Sequence, residues 1–147
     1  MKWYIKKFED LTNLELLEIY KLRSEVFIVE QNCVHNDVDD NDKIAFHIYS
    51  KDYENDNIIS YGRIFLDNEY VQIGRVVVNK NFRSKGIGKE LLKKLINLSK
   101  DKFSDKDIYI KAQARLQKFY EEFNFKAISE PFLWDGIFHI KMILKNE

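Results

Sequence analysis

The sequence predicts a single α/β domain in which helices alternate with the strands of a largely antiparallel sheet. Its 147 residues suit one domain with a sizeable buried core. Apolar stretches of strand and helix periodicity follow one another along the chain, and neither a repeat nor a low-complexity linker divides them. Apolar residues make up 45% and aromatic residues 14%, as in ordered globular proteins. We therefore expect one domain over residues 1–147.

The first half of the chain predicts a strand, a long helix and an antiparallel meander. Residues 3–8 (WYIKKF) mix β-forming residues with lysines, which favours a strand. Thr12 and Glu15 have the spacing of a helix capping box, and a helical apolar pattern continues to about Phe27. The strand candidates of the meander are 44–50 (IAFHIYS), 58–66 (IISYGRIFL) and 69–78 (EYVQIGRVVV).

The second half of the chain predicts two helices and three further strands. Leucine and isoleucine residues form one side of a helix over 86–101, and 115–123 (RLQKFYEEF) predicts a shorter helix. The strand candidates are 107–112, 126–130 and 137–144, with Pro131 and Gly136 in a loop before the last one. Together these elements predict a mixed sheet of about six to seven strands, flanked by helices in two or three layers.

The charge balance and the single cysteine exclude several classes of protein. The 24 basic and 24 acidic residues cancel, whereas broad nucleic-acid binding needs a net basic surface. No apolar stretch reaches the roughly 20 residues of a membrane-spanning helix, and none has the length of a signal peptide. Cys33 has no second cysteine to pair with, which suits a reducing compartment. We expect a soluble cytoplasmic protein with neither nucleic acid nor membrane as partner.

The segment RSKGIG, residues 83–88 and called the glycine loop below, joins a predicted strand to a predicted helix. The first N–H groups of a helix lack helical partners and lie at the positive end of its dipole, so the loop is a candidate anion site. The P-loop pattern fails because Arg83 and Glu90 stand where it needs a glycine and a hydroxyl residue. The dinucleotide fingerprint fails because Leu91 replaces its third glycine.

What remains is Arg-x-x-Gly-x-Gly, formed by Arg83, Gly86 and Gly88. Glycines at these positions let the backbone approach a pyrophosphate closely, and Lys85 and Lys89 add positive charge. The same six residues also suit an ordinary glycine-containing helix start on a basic surface. The surrounding sequence is needed to choose between these two interpretations.

The surrounding sequence resembles the GNAT superfamily of N-acetyltransferases, whose signature [Gln/Arg]-x-x-Gly-x-[Gly/Ala] follows the fourth strand. The resemblance extends to the ElaA group of that superfamily and covers nearly the whole chain in order. The segments that carry it are LRSEVFIVEQNCV (22–34), IGRVVV (73–78), KAQARLQKFYEEFNF (111–125) and DGIFHIKM (135–142). It implies the GNAT acyl-CoA N-acyltransferase fold and acetyl-CoA as co-substrate, and we expect no metal.

The resemblance also implies which residues hold the coenzyme. In the superfamily the fourth strand offers its backbone to the pantetheine arm, and the glycine loop holds the pyrophosphate. The predicted cofactor-binding residues are Val76, Val77, Val78, Arg83, Ser84, Lys85, Gly86, Ile87, Gly88 and Lys89. Taken alone, the valines are equally those of a buried strand.

Tyr120 occupies the place of the superfamily tyrosine that protonates the departing thiolate. A phenol can donate a proton to the coenzyme sulfur as the thioester collapses. The alternative is a core aromatic residue beside Phe119 and Phe123. One position departs from the family: Asn124 stands where a glycine is usual, and asparagine tolerates the left-handed conformation of a helix end.

The amine acceptor must lose a proton before it attacks, so a base or a water relay is required. The candidates are Glu30, His139 and His47. Imidazole titrates in the right pH range, yet a lone histidine in a sheet is more often structural. Glu30, acting directly or through water, is the preferred candidate, although it could instead cap a helix or pair with an arginine.

Several polar residues lie within otherwise apolar segments: Arg23, Arg63, Arg75, Gln31 and Gln113. One interpretation is that they bond to one another, to the first helix and to the acidic loop at residues 35–43. The other is that some of them line the acceptor pocket, and the two interpretations are not exclusive. Of this set, Gln31, Arg75 and Gln113 are the predicted acceptor-binding residues. The acidic loop lacks the glycine and glutamate of a calcium loop, and we interpret it as a solvated loop at the acceptor entrance.

The sequence as a whole predicts an N-acetyltransferase that acts by direct attack of a small-molecule or peptide amine in a ternary complex. Cys33 has no base beside it in a recognised motif, which argues against a covalent acetyl-enzyme. The alternative is a non-catalytic acyl-CoA sensor or protein-interaction module. The resemblance is also compatible with a homodimer.

Overall fold

The computed structural model describes residues 1–146 and contains eight strands and four α-helices in that range. The strands are β1 Lys2–Lys7, β2 Phe46–Lys51, β3 Ile58–Asp67, β4 Tyr70–Val78, β5 Asp107–Gln113, β6 Lys126–Ala127, β7 Phe132–Trp134 and β8 Ile137–Leu144. The helices are α1 Asn13–Arg23, α2 Asn41–Ile44, α3 Ile87–Lys102 and α4 Gln117–Glu121. Helix α1 continues directly into a π-helical segment, Ser24–Glu30.

The strands form one sheet in the order β1-β2-β3-β4-β5-β8-β6, and β7 also pairs with β8. Every pair is antiparallel except β4 with β5. The predicted mixed, largely antiparallel sheet is therefore confirmed. The additional strand is β7, which falls in the region predicted as a loop. Asp135 and Gly136, at φ of 52° and 78°, make a tight β7–β8 hairpin turn, and Asp-Gly is a strong sequence signal for such a turn.

Helix α1 begins with the predicted capping box. The Glu15 amide donates to Thr12 Oγ1 at 3.1 Å, and the Thr12 amide donates back to Glu15 Oε1 at 2.9 Å. The predicted helix continued to about Phe27, whereas the structure changes from α to π geometry after Arg23 and runs to Glu30. Wide π-helical turns often occur at functional sites, and this segment leads directly to the cavity described below.

Two apolar clusters pack on opposite faces of the sheet. On one face, α3 contributes Leu91, Leu92 and Leu95, which pack against strand residues such as Ile64. Gly62 is required for this packing, since a Cβ atom there would lie 2.7 Å from Cδ1 of Leu95. On the other face, α1 packs on the sheet through Ile19, Leu22 and Val26. The domain therefore has three layers, with the sheet between α1 and α3.

The sheet opens between β4 and β5, its two central parallel strands. They pair only from Tyr70–Gln72 to Asp107–Tyr109 and diverge beyond Gln72. In the same part of β4, the pairing with β3 shifts: Arg63 lies opposite Gly74 and Tyr61 opposite Val77, so Arg75 and Val76 together face one residue of β3. This is a β-bulge, which leaves one residue outside the hydrogen-bonded ladder. The divergence produces a wedge-shaped gap in the middle of the sheet.

Candidate active site

A cavity of about 660 Å³ occupies the gap between β4 and β5. The end of the π-helical segment, the acidic loop, the start of α3, the α4 region and the β7–β8 hairpin complete its walls. The predicted site residues that line it are Val76, Val77, Val78, Arg83, Gly88, Tyr120, His139, Gln31, Arg75 and Gln113. The remaining predicted residues lie outside the lining: Glu30, His47, Ser84, Lys85, Gly86, Ile87 and Lys89. The last five flank Gly88 in the glycine loop and the first turn of α3.

The glycine loop reaches α3 through two left-handed residues, Ser84 and Gly86, at φ of 65° and 81°. Gly86 is the N-cap residue of α3, where glycine adopts this conformation without strain. Gly88 has a different role because it lines the cavity. A Cβ atom there would make only ordinary contacts, 3.8 Å from Val78 Cγ2 and 3.9 Å from Phe119 Cζ. The protein itself therefore does not exclude a side chain at Gly88, but such a side chain would stand at the cavity wall.

Glu30 is bound to the glycine loop. Its carboxylate accepts from Arg83 Nη1 at 2.7 Å and from Arg83 Nη2 at 3.0 Å, and Arg83 Nε also donates to the carbonyl of Val78 at 3.1 Å. The hydrogen bond from Arg83 lowers the pKa of Glu30 below its ordinary value. The carboxylate is thus an ionised partner of Arg83, which was the alternative interpretation of this residue, and this makes it a weak proton acceptor.

His47 is buried on β2, and both of its ring nitrogens have partners. Nδ1 lies 2.6 Å from the hydroxyl of Tyr61, and Nε2 lies 2.9 Å from the carbonyl of Asp42. A carbonyl can only accept, so Nε2 carries the proton and Nδ1 accepts from the tyrosine. Burial lowers the pKa of His47, which keeps the imidazole neutral. These contacts give the residue a structural role inside the domain.

Of the three candidate bases, His139 is the one that lines the cavity, and His35 of the acidic loop, which was not among the candidates, lines it as well. His139 lies on β8 directly opposite Gln113 of β5. Its Nδ1 is 2.8 Å from the carbonyl of Ile137, so Nδ1 is the donor and Nε2 is the ring nitrogen left to accept a proton. Within residues 1–146 this Nε2 has no hydrogen-bond partner, and the Trp134 ring packs edge-on at 5.1 Å. Among the three candidates, the geometry favours His139 as the proton acceptor.

The side of the cavity that contains the predicted acceptor-binding residues Gln31 and Gln113 is closed by contacts between distant segments. Gln113 Nε2 donates to Gln31 Oε1 at 3.0 Å, joining β5 to the end of the π-helical segment. The thiol of Cys33 donates to the carbonyl of Asp135 at 3.0 Å, joining that region to the β7–β8 hairpin. Trp134 and Asp135 thereby become cavity residues that the sequence analysis missed. The Asp-Gly hairpin signal could have identified them.

Tyr120 is buried on α4, with 4% of its surface exposed, and it lines the cavity. Phe119 and Phe125 pack against its ring at 5.2 Å and 5.9 Å in edge-on geometry. Its hydroxyl makes no side-chain hydrogen bond with any residue of the described range, and burial raises its pKa. The phenol therefore stays protonated and has a free donor. The end of the segment has the expected left-handed Asn124, at φ of 71°.

The acidic loop is only partly solvated, because arginines from the sheet and from α1 surround two of its four carboxylates, whereas Asp40 is exposed as expected. Asp37 and Asp42 are only 4% and 1% exposed. Arg23 donates to both at 2.8 Å, and Arg63 donates to Asp42 at 2.8 Å. Of the two interpretations of these arginines, mutual bonding with the acidic loop describes Arg23 and Arg63. Burial of a carboxylate requires such partners, and the loop is consequently held against the sheet.

Residues 1–146 contain no cluster of three or more side chains suited to a metal ion, and no helix in that range is long and apolar enough to cross a membrane.

Comparisons with known proteins agree with this architecture. A family model described as an acetyltransferase (GNAT) domain matches residues 16–146. Protein ElaA of Escherichia coli strain K12 is 35% identical over 145 residues, which cover 97% of this chain and 95% of that protein. The crystal structure of Escherichia coli ElaA has a TM-score of 0.93 and covers 99% of this chain and 100% of its own.

Two further solved structures are similar. An acyl-CoA N-acyltransferase from Pseudomonas aeruginosa is 33% identical, with a TM-score of 0.90 and 97% of each chain covered. An aminoglycoside 6'-N-acetyltransferase in complex with coenzyme A is 13% identical, with a TM-score of 0.69 and 96% of each chain covered. At that identity the last comparison shows the fold alone.

Proposed function

Because the chain belongs to the GNAT acetyltransferase family, we propose that it transfers an acetyl group from acetyl-CoA to a primary amine by direct attack in a ternary complex. The observation that carries this proposal is a single cavity that joins three groups. They are the start of α3 with its glycine loop, the free hydroxyl of Tyr120 and Nε2 of His139. These are an anion site, a proton donor and a proton acceptor, which are the components of acyl transfer to an amine.

The residues along one wall of the cavity fit coenzyme A. Beyond Gln72, β4 has no pairing with β5, so its edge can hydrogen-bond an extended pantetheine arm. The first-turn N–H groups of α3 and the cationic side chains of Arg83, Lys85 and Lys89 fit a pyrophosphate. A coenzyme A complex of the related fold supports this assignment. Acetyl-CoA supplies the acyl group as a thioester.

Two side chains of the protein carry out the proton transfers, His139 as the acceptor and Tyr120 as the donor. Nε2 of His139 takes a proton from the incoming ammonium, which frees the nitrogen lone pair for attack on the thioester carbon. The backbone N–H group that the β4 bulge leaves outside the ladder is a donor for the oxygen that becomes negative. As the carbon–nitrogen bond forms and the carbon–sulfur bond breaks, the sulfur takes the proton of Tyr120. The nitrogen then gives up its second proton, which restores the Tyr120 phenol, so that the products are the amide, the thiol and the one proton held by His139.

An acceptor screen tests the proposal. Coenzyme A release from acetyl-CoA would be followed with a panel of polyamines, amino acids and peptides. We expect at least one amine to stimulate release, and Tyr120→Phe to lower kcat by about 100-fold, at the low end of what a general acid contributes. Tyr53→Phe, at an exposed turn position, is the matched control and should keep full turnover. Tight acetyl-CoA binding without release for any amine would favour the non-catalytic sensor.

A further inference from the structure

Arg75 has an unusual backbone conformation for a residue inside a strand. Its φ is +54°, in the left-handed region that glycine adopts easily and other residues adopt at a cost. It is one of the two residues of the β4 bulge, and a left-handed bulge position is commonly a glycine. In this chain the glycine is Gly74, one residue earlier, and the left-handed position carries a long charged side chain. Some interaction of that side chain has to hold the backbone in place.

That interaction is with the acidic loop. Nε and Nη2 of Arg75 donate to the carbonyl of Asp37 at 3.2 Å and 2.9 Å, and Nε lies 3.0 Å from Asp37 Oδ1. Nη2 also donates to Asp39 Oδ2 at 3.4 Å. The guanidinium is thus bound from several sides by a loop that lies 36 to 38 residues away in sequence.

Asp37 is itself buried and held in place by hydrogen bonds from α1. It is 4% exposed, and Arg23 of α1 donates to its Oδ2 at 2.8 Å and to its carbonyl at 2.7 Å. Its Oδ1 is buried without a hydrogen-bond partner among the described residues, and the cation beside it is the guanidinium of Arg75, whose Nε lies 3.0 Å away. Without Arg75 this oxygen would lose its nearest positive charge.

We propose that Arg75 is a positioning residue, whose ion pair with Asp37 holds the β4 bulge in the conformation that presents its unpaired backbone N–H group to the thioester oxygen. This inference rests on the proposed acyl transfer. It differs from a role in acceptor contact, because the side chain points its donors at Asp37 and Asp39 and acts through the backbone of Arg75 and Val76. The same ion pair also joins the acidic loop to β4.

The test compares Arg75→Ala with Arg75→Gly in the full chain. Both variants lose the ion pair, but glycine adopts a φ of +54° without strain and alanine does not. We expect Arg75→Ala to lower kcat about tenfold, and Arg75→Gly to recover most of that loss, with similar KM values for the amine. A purely structural role would make the two variants equally slow. A role in acceptor contact would raise the KM for the amine equally in both.

Asn68 provides a matched control. It has a φ of +53° in the β3–β4 turn and lies outside the cavity lining. Asn68→Ala and Asn68→Gly should differ in thermal stability through the same backbone effect, with no change in kcat. Equal kcat for Arg75→Ala and Arg75→Gly, or a wild-type kcat for Arg75→Ala, would overturn the proposal.

A binding measurement separates this inference from the proposed function. The ratio of the dissociation constants of coenzyme A and acetyl-CoA, measured by calorimetry, reports the contact with the thioester and needs no amine. We expect Arg75→Ala to change this ratio and Arg75→Gly to restore it. If the wild-type protein released no coenzyme A with any amine, the proposed acetyl transfer would be wrong. The ratio of the two dissociation constants would still test the role of Arg75. If Arg75→Ala does not fold, Asp37→Asn weakens the same ion pair. An unchanged ratio of the two dissociation constants in Asp37→Asn would overturn the positioning role of Arg75.

Discussion

At the scale of single residues, the three candidate bases differ in their hydrogen-bond partners and in whether they line the cavity. Glu30 and His139 are both polar residues in segments that resemble the family, and the sequence analysis preferred Glu30 without knowing the surroundings of either side chain. In the structure Glu30 is the bidentate partner of Arg83, and His47 has both ring nitrogens bonded inside the domain. His139 alone of the three lines the cavity. A base must lie within hydrogen-bond distance of the proton that it removes, whatever its pKa. The position of His139 at the cavity therefore favours it as the base.

Turnover of matched variants tests this assignment. His139→Gln should lower kcat/KM by roughly 100-fold, within the range that a general base contributes. Glu30→Gln, which keeps the shape of the side chain and loses its charge, should keep kcat near the wild-type value, because Glu30 contacts Arg83 of the glycine loop and lies outside the cavity lining.

The opposite pattern, with turnover lost in Glu30→Gln and kept in His139→Gln, would restore Glu30 as the base.

At the scale of elements, the beginning of α1 depends on one buried carboxylate. Burial by itself would raise the pKa of Glu15. Hydrogen bonds from the Thr12 amide, the Tyr49 hydroxyl and the Lys6 ammonium outweigh burial and lower the pKa to about 2 from an ordinary 4.5. The carboxylate therefore joins the first turn of α1 to β1 and β2, the strands that carry Lys6 and Tyr49. The helix is attached to the sheet edge at the same residue that caps it.

The sign of this shift predicts an acid-sensitive contribution to stability. Because the folded-state pKa lies below the ordinary value, Glu15 stabilises the folded domain above pH 4.5, and the contribution is lost as the pH falls toward 2. Glu15→Gln should lower the free energy of unfolding by about 2–3 kcal/mol at neutral pH and flatten its dependence on pH between about 2 and 5. Urea unfolding at several pH values measures both effects.

Glu25→Gln is the matched control, because Glu25 is exposed and has no ion pair within the described residues. A loss of stability in Glu15→Gln that was the same at pH 2 and pH 7 would contradict the assignment.

At the scale of the whole molecule, a ligand bound in the opening between β4 and β5 would connect separate parts of the domain. Three separate parts of the domain meet at the cavity: the unpaired edge of β4, the start of α3 and the α4 region that carries Tyr120. Coenzyme A bound there would contact all three at once. A ligand that binds only the folded state stabilises it in proportion to its saturation.

We expect acetyl-CoA to raise the melting temperature of the domain. At 100 times its dissociation constant the ligand adds about 2.7 kcal/mol, or several degrees for a domain of this size. Gly88→Val should remove most of this rise while the ligand-free protein melts near the wild-type temperature, because a Cβ atom at Gly88 meets the protein only at 3.8 Å or more. Differential scanning fluorimetry with acetyl-CoA and with acetate alone measures the effect.

A full ligand-induced rise in Gly88→Val would place the coenzyme away from the start of α3.

The sequence by itself determined the order of the strands and helices, the capping box of α1 and the helix start at the glycine loop. These features depend on residues within about one turn or one strand of each other, so local periodicity and turn chemistry specify them. The Asp-Gly turn of the β7–β8 hairpin was just as local, and it was missed in the sequence, which predicted a loop there. The family followed from motifs of the same kind.

Only the tertiary structure decided which polar groups meet. Glu30 bonds to Arg83 across 53 residues, Gln113 to Gln31 across 82, and Arg75 to Asp37 across 38. No local pattern encodes such pairs, because each depends on where the sheet brings two distant segments together and on which carboxylates it buries. That is why the acidic loop was expected in solvent and lies against the sheet. For the same reason the cavity, rather than the sequence, separates His139 from the other candidate bases.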